Sequence, residues 1–362
     1  MNLRLLLFVA LLLQMLTSCS SVFYRQKSKD LDLINSLQSH KEYFIQIYCK
    51  IFDFNGILVR EYPGSKCVFN DDGTFMMTSN NDKEIGFYNQ NASAQWKLPL
   101  HTHHQLNKNA EGNYLVMSST VKRYLNTRMR FDKLIIMNDQ GNILNYYDLA
   151  EHIDLVEKNK TIPKKLTNSF AWDKETGLEA ESEVSHANSF YQIPSNPKSS
   201  EMVFLREKNY ISSNTFCNCA IVFSSDLSKI EKIISLKDNY IIHDFQILPN
   251  GNLLGYFNSS LGNHSIIEQT YIGEFDLTSD KYIFRFTPNN HFFSRYTGGV
   301  QKFMERLYIY NDYSDSDPKA TIINDEGEIL KVIRFKALDN KDGFQQAKII
   351  KLDLFLKNNY GI

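Results

Sequence analysis

One pattern recurs along this chain and restricts what it can fold into. An apolar strand, a polar turn and a second apolar strand occur at Tyr48–Tyr62, Glu84–Leu100, Lys133–Leu149, Cys219–Leu236, Tyr271–Phe286 and Ala320–Phe335. Asn55-Gly56, Gln140-Gly141-Asn142 and Asp325-Glu326-Gly327 mark the turns, residue types that tolerate the backbone of a tight hairpin. A second kind of hairpin alternates with the first, at Lys66–Ser79, His104–Ser119, His186–Glu207, His243–Ser259, Val300–Asn311 and the C-terminal stretch Gln345–Asn358. The chain opens on an outer pair, runs through inner-then-outer hairpins, and closes on an inner pair. Its two ends therefore complete one another as a sixth unit. Radial repetition with joined ends leaves only short, protected sheet edges. The expected fold is an all-β six-bladed β-propeller over residues 43–362, closed by Gln345–Asn358 pairing with the strands at Tyr43–Arg60.

The largest departure from the repeat is an insertion from Ala150 to Val184. Asp148–Lys158 has helical apolar spacing at Leu149, Ile153, Leu155 and Val156, and the insertion leads straight into His186. A long connection inside a compact domain is usually functional or disordered.

The first residues read as a targeting segment. Arg4 precedes an apolar run, Leu5 to Leu13, and Leu16-Thr17-Ser18-Cys19 ends it. The run is too short to span a bilayer, and the order of parts resembles the lipobox of bacterial lipoproteins. The expected organisation is a signal peptide over 1–18, lipidation at Cys19, a tether over 19–42 with a short helical stretch at Leu31–Leu37, then the propeller. Such a protein would be held to the membrane by its lipid in the bacterial cell envelope, on the periplasmic side of the outer membrane. Lys+Arg of 40 against Asp+Glu of 41 leaves a net charge of −1, which argues against nucleic acid as a partner. Gly and Pro are few, 16 and 8, so Asn and Asp do much of the turn work. Besides Cys19 there are Cys49, Cys67, Cys217 and Cys219. Cys217 and Cys219 are too close for a relaxed bridge within one extended strand, and free or partly paired thiols are expected.

The chemistry-bearing residues follow the repeat. His104 and His243 each stand eight residues ahead of the Gly of a Gly-Asn-X-Leu turn, Gly112-Asn113-Tyr114-Leu115 and Gly251-Asn252-Leu253-Leu254. His186, in Ser185-His186-Ala187-Asn188-Ser189, opens a similar hairpin between them. Repeats normally re-use residues that pack, whereas here a titratable, nucleophilic side chain recurs. Each histidine begins the innermost strand of one of three successive blades, so the three gather at one mouth of the central channel. Folding the His186 hairpin about Asn196 places Arg206 opposite His186, and folding the next hairpin about Asn250-Gly251 places Asn258 near His243. Imidazole attacks when neutral and stabilises charge when protonated. Arginine's planar fork matches tetrahedral oxyanions. The set suits transfer of a sulfuryl or phosphoryl group. A structural, blade-capping role for the histidines is the plain alternative, and a zinc reading of His101-Thr102-His103-His104 lacks a carboxylate or thiol partner at ligand spacing.

These residues resemble the bacterial arylsulfate sulfotransferases. The matching stretches are His103-His104 with Gly112-Asn113-Tyr114-Leu115, His186-Ala187-Asn188-Ser189, Leu205-Arg206, His243-Asp244 with Asn250-Gly251-Asn252, and His291-Phe292-Phe293-Ser294 with Gly298-Gly299-Val300-Gln301. They span about residues 45–335 in order. The resemblance implies a six-bladed propeller that moves a sulfuryl group from an aryl sulfate donor to a phenol acceptor. No cofactor is implied, and phosphoadenosine phosphosulfate is not needed. The transient sulfohistidine falls on His243. Anion-binding and acid–base roles fall on His104, His186 and Arg206, and substrate contacts on His103, Asn188 and Asn258. The rival is a lipid-anchored propeller that binds a ligand and catalyses nothing.

Overall fold

A computed structural model describes residues 29–39, 42–124, 126–152, 164–165, 182–183, 186–214, 219–235, 240–259, 270–287, 298–312, 318–338 and 347–352. A helix, α1 (29–39), precedes β1 (Tyr43–Ile47), β2 (Lys50–Phe52) and β3 (Leu58–Glu61). Blade 1 holds β4 (Cys67–Phe69), β5 (Phe75–Thr78), β6 (Glu84–Tyr88) and β7 (Ala94–Pro99). Blade 2 holds β8 (Thr102–Lys108), β9 (Tyr114–Tyr124), β10 (Thr127–Met137) and β11 (Ile143–Asp148), joined at its edge by β12 (Lys164–Lys165) and β13 (Ser182–Glu183). Blade 3 is β14 (Ala187–Gln192), β15 (Tyr210–Asn214), β16 (Cys219–Phe223) and β17 (Ile230–Ser235). Blade 4 is β18 (Tyr240–Ile247), β19 (Leu253–Ser259), β20 (Tyr271–Asp276) and β21 (Lys281–Phe286). Blade 5 is β22 (Val300–Phe303), β23 (Leu307–Asp312), β24 (Lys319–Asn324) and β25 (Ile329–Arg334). The last strand, β26 (Ala347–Lys351), pairs antiparallel with β1, so blade 6 runs β26-β1-β2-β3. The protein is a six-bladed β-propeller.

Burial follows position in the blade. The second and third strands lie between two neighbouring blades and are buried on both faces, as in β5, β15 and β24. Outermost strands alternate or are mostly exposed, as in β7, β21 and β25. The apolar core is accordingly divided into seams between blades. One seam joins Ile211, Val222, Phe245 and Phe257 of blades 3 and 4, and another joins Leu254, Tyr256, Val300 and Tyr308 of blades 4 and 5. Turn glycines reverse the chain where a side chain would be strained, for example Gly112 at φ +87° and Gly251 at φ +79°.

Closure differs in detail from the sequence expectation. Among the described residues one strand, β26, completes blade 6, and it meets three strands from the N-terminal side rather than an outer pair. Residues 353–358 lie outside the described residues. Part of the expected tether belongs to the fold. Ile34 and Leu37 of α1 are buried against Ile45, Ile309, Ile322 and Ile333, covering the seam between blades 5 and 6. The expected helix at Asp148–Lys158 is a 3-10 turn at Leu149–Glu151, and the rest of that stretch lies outside the described residues. Cys49 and Cys67 form a disulfide, and Cys219 is disulfide-bonded as well. Of the thiols expected to be free or partly paired, these three are bonded, and Cys217 lies outside the described residues. Cys49 follows β1 and Cys67 opens β4, residues that the packing of blade 6 against blade 1 sets side by side.

Two outcomes test this closure. Removing 345–362 strips the innermost strand from blade 6 and exposes the edge of β1, so aggregation by size-exclusion chromatography is expected. Replacing Cys49 and Cys67 by Ser opens a loop of 18 residues. It should lower unfolding free energy in urea by about 3 kcal/mol, the usual effect of a loop this long.

Candidate active site

Three inner strands carry the histidines, and each breaks its register there. In β8, Thr102 pairs with Ser118 and Leu106 with Val116, so His103, His104 and Gln105 together oppose Met117. In β18, Ile242 pairs with Phe257 and Asp244 with Tyr256, which leaves His243 as the extra residue. In β14, Ala187 pairs with Asn214 and Ser189 with Ser213, which leaves Asn188 as the extra residue, two positions after His186. A bulge bends its strand and re-aims the side chain at the break. At His104 the backbone goes as far as φ +53°, a region that costs a non-glycine residue on the order of 1 kcal/mol or more.

The histidines converge. The His104 and His186 rings lie 4.7 Å apart and nearly perpendicular, and His103 and His104 lie 4.9 Å apart. His243 and Asn258 are buried, and His243 Nδ1 sits 2.6 Å from Asn258 Oδ1. An amide oxygen only accepts, so Nδ1 is the donor, and in the neutral ring the lone pair then falls on Nε2. His103 Nε2 donates to the Ser118 carbonyl at 2.8 Å and lies 3.2 Å from Asp132 Oδ1. The other oxygen of Asp132 accepts from the Ala187 amide at 2.8 Å, so one carboxylate orients His103 and fixes the start of the next inner strand.

Burial pushes the pKa of His104 well below the usual histidine value, and the nearby His186, His103, His243 and Lys66 add to the effect. His104 is therefore neutral near pH 7. Sequence reasoning missed Lys66 as part of this cluster. Lys66 immediately precedes β4, the innermost strand of blade 1, and its Nζ lies 2.5 Å from Asp82 Oδ1 and 3.2 Å from Ser65 Oγ. Burial lowers its pKa, with Asp82 opposing. The signal was present: Lys66 stands seven residues ahead of Gly73, and His104 eight ahead of Gly112. Asp132 was missed too, because it lies on the third strand of its blade.

Arg206 is not brought to this site. Two 3-10 turns, Pro197–Ser200 and Val203–Leu205, lengthen the connection between β14 and β15. The return strand starts only at Tyr210, and Asn214 rather than Arg206 comes opposite Ala187. Arg206 is exposed at the other end of the six-residue β14, about 20 Å along the strand from His186 at 3.3 Å per residue. Cys19 and His291–Ser294 lie outside the described residues. Further along the channel the buried Asp244 and the half-buried Lys348 interact electrostatically. Burial raises the Asp244 carboxyl to about 6 and lowers the Lys348 amine to about 8. Tyr191 donates to Gln105 Oε1 at 3.0 Å beside them, and Lys348 donates to Asn107. A separate cavity of ≈ 530 Å³ between blades 3 and 4, lined by Phe204, Phe275 and Tyr282 among others, holds none of these groups.

The fold and these side chains define a β-propeller with a histidine cluster at one mouth of its channel. A family model described as "Arylsulfotransferase (ASST)" matches residues 29–211, and the chain belongs to that family. The match takes in His103, His104, His186 and Asn188 and ends before His243. No curated protein matches the chain. Among solved structures, a protein of unknown function from Bacteroides caccae is similar, with a TM-score of 0.53 and 13% identity over 86% of this chain and 99% of that one. Virginiamycin B lyase from Staphylococcus aureus gives 0.41 and 10% over 86% and 100%. At these identities the likeness concerns the fold.

The His104 shift makes a prediction about stability. Its folded pKa is lowered, so below about 6.5 the unfolded chain takes up a proton that the folded chain refuses. The contribution is absent above that value and destabilises progressively as pH falls toward the folded pKa. His104→Gln should therefore lose less stability than wild type between pH 7 and 5, measured by urea unfolding at each pH. Equal losses would count against a buried neutral His104.

Proposed function

We propose that this protein transfers a sulfuryl group from an aryl sulfate to a phenol, with His243 as nucleophile and without phosphoadenosine phosphosulfate. The carrying observation is the His243 Nδ1 contact with Asn258 Oδ1 in a chain of the arylsulfotransferase family. Nε2 attacks sulfur, the bond from sulfur to the aryl oxygen breaks, and the electron pair leaves on the phenolate. Phenolate is a fair leaving group, because phenols have a pKa of about 10. The sulfated ring becomes cationic while Asn258 Oδ1 holds its Nδ1 proton. A second phenol then attacks sulfur, its proton passes to neutral His104, and the bond from nitrogen to sulfur returns its pair to Nε2. His103, His186 and Asn188 line the approach, and Lys66 supplies positive potential for the sulfuryl oxygens.

Incubation with an aryl sulfate should add one acid-labile sulfuryl group, about 80 Da, to the wild type as a covalent intermediate. His243→Ala should lose both labelling and transfer. Asn258→Ala should keep a residue of activity on the order of 10²-fold below wild type, as misplacement of a reacting group does. An unimpaired His243→Ala variant refutes the nucleophile. A wild type that transfers from no phenyl sulfate to any phenol leaves a binding protein. Arg206→Ala separates its two placements: a large loss if it clamps the sulfuryl group, a change within about twofold for an exposed side chain far from the reaction.

We also propose attachment to the membrane through a lipid on Cys19, on the periplasmic side of the outer membrane, from the lipobox-like Leu16-Thr17-Ser18-Cys19. Cys19→Ala should release the protein from membrane fractions or block its processing.

A further inference from the structure

Blade 2 does not end where the histidines sit. Its innermost strand begins at Thr102, which pairs with Ser118, but β9 continues through Ser119–Tyr124 and turns back as the first residues of β10. Six residues of two-stranded ribbon thus run past the channel mouth on the histidine side, about 20 Å at 3.4 Å per residue. β13 pairs with this overhang at Met129 and Arg130, and β12 pairs with β13.

The two faces of the ribbon have different roles. Residues opposite one another in an antiparallel pair share a face, and the face alternates along the strand. One face carries Thr120, Lys122, Tyr124, Met129 and Phe131. It is fastened outward: Thr120 donates to Asp148, Lys122 to the Ala150 carbonyl, and Phe131 packs with Leu149. The other face carries Asp132, then the Arg130 position, then the opposed pair Arg123 and Arg128. Asp132 is the carboxylate that meets His103 and the Ala187 amide, so this face is the one turned to the site. From Asp132 to Arg128 is four residues, about 14 Å.

Charge is concentrated here in a chain that is otherwise balanced. Residues 119–132 with β12 and β13 hold Lys122, Arg123, Arg128, Arg130, Lys164 and Lys165 against Asp132 and Glu183, while the whole chain has a net charge of −1. Arg130 is buried beside Glu183 in the parallel register. Arg128 is half-buried and Arg123 exposed. Arg123 and Arg128 stand about 14 Å beyond Asp132 along the ribbon, on the face that Asp132 turns to the site.

We propose that the overhang selects the aryl sulfates this enzyme uses: phenols that carry a second anionic group, a carboxylate on a short side chain, which Arg123 and Arg128 bind while the sulfuryl group lies at His243. This rests on the sulfotransfer reading above. Arginine suits the role because its fork takes a carboxylate through two parallel hydrogen bonds.

The test compares 3-(4-sulfooxyphenyl)propanoate with its methyl ester. Two methylenes insulate the phenol, so the two donors share a leaving group and differ in the distal charge. Wild type should favour the acid in kcat/KM by about tenfold or more, the scale of a hydrogen-bonded charge pair. In Arg123→Gln/Arg128→Gln that ratio should collapse toward one, and Arg123→Lys/Arg128→Lys should restore part of it. A thermal melt identifies a variant that fails to fold, and the wild-type ratio alone still decides. Equal use of both donors by wild type overturns the proposal, as does a ratio that survives in the double variant. A double variant that slows both donors equally means general attraction of the sulfate and overturns it too. If wild type turns over neither donor, the sulfotransfer reading fails by itself. Calorimetric titration with 3-(4-hydroxyphenyl)propanoate and its ester then decides the anion site: tighter binding of the acid, lost in the double variant, upholds it, and equal binding ends it.

Discussion

Six inner strands face a channel with one backbone edge each that no further strand covers, and the structure depends on satisfying those edges. Polar side chains do this from blade to blade. Asn107 of β8 donates to the Phe190 carbonyl of β14, and Ser189 of β14 accepts from the Phe245 amide of β18. Asp244 and Gln246 of β18 take the amide and the carbonyl of Val300, and Gln301 of β22 accepts from the Ile349 amide of β26. Gln46 of β1 donates to the Cys67 carbonyl, where the Cys49–Cys67 disulfide adds a covalent tie. Unmade, each buried group would cost about 1–3 kcal/mol. Apolar side chains would fill the channel but leave these groups without partners, which is why amides and hydroxyls recur there.

That requirement explains why a polar site exists in the middle of an all-β protein. A channel lined for hydrogen bonding is already hydrated and polar, so histidines at its mouth need no separate excavation. The bulges then do the local work. An unbroken inner strand would send alternate side chains into the neighbouring blades. One extra residue at His243 and at Asn188, and a wider break at His103–Gln105, turn functional groups out of that alternation. The strain at His104 is borne by a strand whose other residues are held on both sides by β9 and by the contacts of Asn107.

What could be read from the chain depended on how local each signal was. Hairpins are local, and turns such as Asn55-Gly56 and Asn250-Gly251 marked them. Asn258 was placed beside His243 because the β18–β19 turn is short and folding it over is reliable arithmetic. The same arithmetic failed for Arg206, since the two 3-10 turns between β14 and β15 have no strong sequence mark and they shift the return strand by several residues. The Cys49–Cys67 pairing and the position of α1 were invisible for another reason. The bridge depends on two consecutive blades packing side by side, and the position of α1 depends on ring closure, which joins residues near 40 to residues near 350. Lys66 was visible as a hairpin start but not as part of the cluster, because the repeat was read through histidine alone.

Asp244 ties the ring to the chemistry. It follows His243 directly, and its carboxylate receives the Val300 amide that joins blade 4 to blade 5. Its position is therefore set by the propeller's own closure, and the backbone at His243 is set with it. Burial drives its carboxyl toward the protonated form, and Lys348, from the strand that closes the ring, opposes this. The reverse holds for the lysine, whose amine is destabilised by burial and supported by Asp244. Neither charge is easily kept without the other. His243, next to this pair, stands at a point where three separate parts of the chain meet: β18, which carries it, β22, which its neighbour holds, and β26, which arrives last. The order around His243 is in this way tied to the contacts that join one blade to the next.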